Sequence, residues 1–227
     1  MMRSLFLRIF NAVASSVGSL VLLPGLVLLA HLSVAHPVSF KGGHEWILES
    51  DASGWDLRYL HSPSYRYAVG PYWIQKAKKS RVGLQVSWLV HRGQWDQAQS
   101  NVYVWAGAGG ASHSKAMKSA YPVGTQLDFE TRRFYSAWMS EWVMRPGDRP
   151  QQKHKARAGF APYLAGDGEL NTWGILEVST AEDPWWGESR GWKTEVTPLV
   201  RFYFKNVLWE MGISQFGNFK LNWMMHL

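Results

Sequence analysis

From about residue 43 onward, apolar and polar side chains alternate along the chain, the spacing of a β-strand with one greasy and one polar face. The segment 193–205, KTEVTPLVRFYFK, sets Thr194, Val196, Pro198, Val200, Phe202 and Phe204 against Lys193, Glu195, Thr197, Arg201 and Lys205. After a tight turn at Lys205-Asn206, Val207, Trp209, Met211 and Ile213 oppose Glu210 and Ser214. The last segment sets Phe219, Leu221, Trp223, Met225 and Leu227 against Lys220, Asn222 and His226. Upstream, Val82, Leu84, Val86, Trp88 and Val90 oppose Arg81, Gln85, Ser87 and His91. This reading predicts about twelve strands, near 43–50, 54–62, 65–76, 81–91, 95–109, 122–131, 134–145, 153–164, 170–180, 193–205, 207–214 and 218–227. Pro162 and Pro198 fall inside two of them, where each removes a ladder hydrogen bond.

Tight connections are expected at His61-Ser62-Pro63-Ser64, Arg92-Gly93-Gln94, Thr131-Arg132-Arg133 and Lys205-Asn206, and long ones near 110–121, 146–152 and 181–192. Short turns at one rim and long loops at the other suit an all-β, antiparallel, up-and-down transmembrane barrel. An even strand count returns both termini to one rim. A soluble barrel or sandwich would show the same alternation, because its greasy face is a core. Two features favour the membrane. The polar face carries Tyr, Gly and Ala among its charges, as a crowded lumen would. Trp46, Trp55, Tyr72, Trp73, Trp88, Trp105, Trp142 and Trp192 read as interfacial girdles at strand ends.

Composition narrows this further. The 227 residues include 14 Trp, 10 Phe, 9 Tyr and no Cys. Without Cys there is no disulfide scaffold, thiolate metal site or thiol nucleophile. Arg3 and Arg8, the apolar stretch Leu20–Ala30, and Ser33 and Ala35 before His36 have the layout of a cleaved signal peptide. Residues 1–35 are then the leader and 36–227 one exported barrel domain. Pro24, Gly25 and His31 argue against a retained membrane helix, which needs about 20 mostly apolar residues. No later segment is apolar for that long. The whole chain carries +7; removing Arg3 and Arg8 leaves 22 bases against 17 acids, or +5. That charge suits anionic lipopolysaccharide or simply a solvated basic surface, and no basic nucleic-acid motif accompanies it.

The C-terminal alternation of Phe219, Leu221, Trp223, Met225 and Leu227 resembles the last strand of Gram-negative outer-membrane barrels, with Leu227 where a terminal Phe is usual. The stretches FETRRFYSAW and KARAGFAPYL are likewise similar to small proteobacterial outer-membrane proteins. The resemblance implies an outer-membrane location and recognition of the last strand by the barrel-assembly machinery. It brings no activity.

Candidate chemistry follows from the predicted inner face: Glu45, Glu49, Asp56, Arg58, Gln85, Asp128, Glu130, Glu141, Arg157, Glu177, Glu195, Arg201, Glu210 and Lys220. Charges of both signs can line a narrow diffusion path, or cross-link into a closed structural network, since buried charges require partners. A cleaved chain beginning at His36 could hold Cu(II), with His44 assisting. Ser112, His113 and Ser114 in a Gly-rich loop are the candidates for a lipid-acting barrel enzyme, although no nucleophile elbow is present. The run Ala106–Gly110 precedes no helix and is not a phosphate cradle. The expectation is a monomeric outer-membrane barrel without cofactor, in contact with membrane lipid and lipopolysaccharide. An outer-membrane enzyme acting on lipid and a soluble exported β-barrel are the alternatives.

Overall fold

The computed structural model describes residues 37–76, 79–113, 116–166, 168–182 and 191–227. Twelve strands follow in chain order: β1 His44–Asp51, β2 Gly54–His61, β3 Tyr67–Lys76, β4 Lys79–Trp95, β5 Ala98–His113, β6 Ala116–Thr131, β7 Phe134–Met144, β8 Gln151–Phe160, β9 Asn171–Glu182, β10 Trp192–Phe204, β11 Val207–Ile213 and β12 Phe219–His226. Each pairs antiparallel with its sequence neighbours, and β1 pairs with β12, from Glu45↔His226 to Ser50↔Leu221. The closure extends one residue further, where His44 and Leu227 exchange two backbone hydrogen bonds of 2.8 Å. Closure removes the unpaired edges that an open sheet would present.

Alternation along each strand sorts side chains in the sense expected from the sequence. In β10, Glu195, Thr197, Leu199 and Arg201 are buried, whereas Val200 and Phe204 are exposed. In β4, Arg81, Gln85 and Ser87 are buried and Val82, Leu84, Val86 and Trp88 are exposed. Among the described residues, the outward positions of the twelve strands carry no Lys, Arg or Asp, and their one Glu, Glu182, ends β9 at the rim.

Four expectations are corrected. The predicted long loop at 110–121 does not exist, because β5 runs on to His113 and β6 starts at Ala116, paired through His113↔Ala116. Gly110, Ser112 and Ser119 simply lack the hydrophobic alternation that marks a strand. The turn expected at Arg92-Gly93-Gln94 lies beyond Trp95, at 96–97, and Pro162 lies outside β8. Connection lengths also fail to sort by rim. The rim bearing both ends of the barrel has 62–66, 96–97, 132–133, 161–170 and 205–206. The opposite rim has 52–53, 77–78, 114–115, 145–150, 183–191 and 214–218. The long loop 161–170 on the terminal rim is fastened by Tyr163, whose hydroxyl donates to the Leu170 carbonyl at 2.7 Å.

Two of the aromatics assigned to girdles point inward instead. Tyr72 and Trp105 are buried, 2% and 6% exposed, and glycines make room for them. A Cβ on Gly124, directly across from Trp105, would overlap the indole, and one on Gly83 would meet the Tyr72 hydroxyl. Gly107 on β5 adds to this, since a Cβ there would crowd Pro122 and the Tyr72 ring.

Candidate functional site: the barrel lumen

Toward the terminal rim two apolar clusters face the lumen, beside the buried polar groups of Glu45, His226, Asn101 and Asp128. On one wall Leu60, Ala68, Leu89 and Tyr103 close around Val38, with Ile47 packed against them. On the facing wall Ala161, Trp173, Ile175 and Leu199 cluster with Tyr135. Val38 belongs to none of the strands. Residues 37–43 precede β1 and fold into the mouth of the barrel, so that Pro37 reaches the central cavity. A tight turn, with Gly43 N–H donating to the Phe40 carbonyl at 2.9 Å and Gly42 at φ +84°, then brings the chain back to β1. Glycine suits the left-handed position of such a turn.

Above this layer lies a dense charge network. Glu177 on β9 receives Arg157 at 2.6 Å, Lys220 at 3.1 Å and Lys155 at 3.7 Å. Arg157 also meets Glu210 at 3.1 Å, and Glu210 meets Arg201 at 2.7 Å. Lys220 continues to Glu195 at 2.8 Å. Lys155 on β8 then crosses to Glu49 on β1 at 3.2 Å, nearly opposite in the wall. A second group does the same from the other side. Arg58 on β2 holds Asp56 at 2.6 Å and reaches Glu141 on β7 at 3.5 Å, while Arg81 on β4 reaches Glu141 at 2.8 Å. Toward the far rim Lys76 holds Asp51 at 2.9 Å. Neutral groups complete the hydrogen bonding, with Gln85 accepting from Arg58, Asn222 donating to Glu210, and Asn101 and Gln126 donating to Asp128.

Of the sequence-derived lumen residues, Glu49, Asp56, Arg58, Gln85, Glu141, Arg157, Glu177, Glu195, Arg201, Glu210 and Lys220 are thus drawn into these contacts. Asp128 sits with Asn101 and Gln126 nearer the terminal rim, and Glu130 is half-buried at the end of β6, outside the network. The predicted inner face omitted four charged participants, Asp51, Lys76, Arg81 and Lys155. Their signal was available, since Lys155 shares the parity of Arg157, and Arg81 that of Gln85. Glu45 and His226 face each other at 3.7 Å near the terminal rim, both buried and without a hydrogen-bond partner among the described residues.

The open space left in the middle is a cavity of about 110 Å³ touched by Pro37, Glu49, Arg58, Trp105, Ala137 and Arg201. A water needs roughly 10–15 Å³, so the cavity has room for several waters. The cross-lumen ion pairs Glu49–Lys155 and Arg58–Glu141 lie along it.

The other candidates fare differently. His36 and Ser114 lie outside the described residues. Ser112 is part of β5, so the Ser–His loop proposed at 112–114 is replaced by a strand end. The geometry offers another Ser–His contact, on the outer face. Ser140 Oγ lies 2.6 Å from His154 Nδ1 across β7 and β8, with the imidazole between Trp142 and Trp192. Ser140 is fully covered, and His154 bonds to no carboxylate among the described residues. This contact satisfies a polar ring at the outer surface and has neither the accessible nucleophile nor the orienting acid of a hydrolase.

No family model and no curated protein matches the chain. Among solved structures, the chain is similar to a KdgM porin in complex with disordered oligogalacturonate, at 12% identity and a TM-score of 0.45, over 81% of this chain and 97% of that one. The barrel architecture is established by the strand pairing of this chain itself.

Proposed function

We propose that this chain is an outer-membrane β-barrel whose resting lumen is closed, so that it serves as a structural barrel or a gated narrow path rather than an open pore. The observation that carries this reading is the inversion of polarity. The outer face exposes Trp73, Leu84, Trp88, Ile213 and Phe219 in a continuous apolar wall, while the ionised side chains turn inward and pair. Soluble monomers rarely expose apolar patches beyond a few hundred Å², and a lipid-facing wall is the setting that accommodates one. A leader ending at Ala35 and contact with lipopolysaccharide fit the same reading. The folded protein should require detergent for extraction and should migrate on a denaturing gel differently before and after heating. Recovery in the soluble periplasmic fraction would overturn it.

A further inference from the structure

We infer that residues 37–43 form a removable stopper that seals the central cavity from the terminal rim. This rests on the closed-barrel reading and deepens it. Three observations carry it. Val38 is 2% exposed, yet it is held only by side-chain packing against the inward residues of β1 to β5. The segment has no strand partner of its own. Among the described residues, its polar ties to the rest of the barrel go to Ser62, through Ser39 N–H to Ser62 Oγ at 3.0 Å, Gly42 N–H to the Ser62 carbonyl at 2.7 Å and Ser62 N–H to the Gly43 carbonyl at 2.9 Å. Finally, the closed state buries the Ser39 hydroxyl, the Glu45 carboxyl and the His226 ring without hydrogen-bond partners among the described residues.

Unpaired buried polar groups cost free energy that water would return on opening. The apolar gain of seating Val38 is therefore offset beside the stopper itself, which makes withdrawal a small step compared with unfolding a strand. Withdrawal would uncover Glu45, His226 and the cavity behind Pro37, while the ion pairs above would still close the far side. The stopper thus gates access to the cavity from one rim only.

The absence of Cys makes this directly testable. Ala137→Cys places a single thiol on the cavity wall. A small water-soluble maleimide added to the folded, detergent-solubilised barrel should label it slowly. Adding Val38→Arg, which puts a charge in the apolar cluster, should accelerate labelling by about tenfold or more, the factor expected from losing burial of one Val side chain. Val38→Ala, a milder change that keeps the fold if the Arg variant does not, should raise the rate by a smaller factor in the same direction. Heat-dependent migration identifies the variants that remain folded. Equal labelling rates in the parent and both folded variants would overturn the stopper. Fast labelling in the parent would instead overturn the closed lumen.

Discussion

Glu177 and Glu210 show how single residues hold the interior together. Each is almost completely buried, and each faces more than one cation: Lys155, Arg157 and Lys220 for Glu177, Arg157 and Arg201 for Glu210. Removing one carboxylate leaves buried positive charges facing one another. Glu177→Ala should therefore destabilise the barrel by about 3–5 kcal/mol, the range for breaking a buried ion pair by deleting one partner. The midpoint of urea unfolding in lipid or detergent reports it, and an unchanged midpoint would mean that the network contributes little.

At the scale of elements, the β4–β5–β6 wall depends on small residues beneath large ones. Gly124→Val should cost about 1–3 kcal/mol through overpacking against Trp105. Gly174→Ala, where an added Cβ meets nothing within 4 Å, should stay within about 0.5 kcal/mol. Refolding yield by gel shift distinguishes the two; equal yields would show that the Trp105 side chain relocates freely. The same wall shows what the sequence could and could not disclose. Strands with strict alternation, such as β10, β11 and β12, were legible because one face is apolar and the other carries the polar and charged groups of the lumen. The outer halves of β5 and β6 were not, since Gly, Ala and Ser carry no face preference. Arg92 was illegible for another reason. A bulge between Leu89 and His91 shifts the register, which turns Arg92 inward to donate to Asn101 at 2.7 Å and to the Tyr103 hydroxyl at 3.2 Å. Period-two reading cannot see a bulge that re-aims one side chain. Tyr72 and Trp105 were misplaced because composition alone does not separate a girdle aromatic from a lumen filler. The stopper at Val38 had no signal at all: one Val in a short pre-strand segment acquires its role only when five strands close around it.

For the molecule as a whole, the polar face of the sequence became the interior, and its charges pair across the barrel instead of lining a hole. Glu49–Lys155 and Arg58–Glu141 join nearly opposite walls, and apolar clusters with Val38 fill the terminal mouth. Charge count alone left both an open path and a closed network available; the cross-lumen distances support the closed reading proposed above. The most direct test is osmotic swelling of liposomes that contain the purified barrel, with incorporation verified by flotation. Closed barrels predict swelling in small sugars no faster than in protein-free liposomes. Swelling that rises in proportion to the amount of incorporated wild-type protein would contradict a closed lumen.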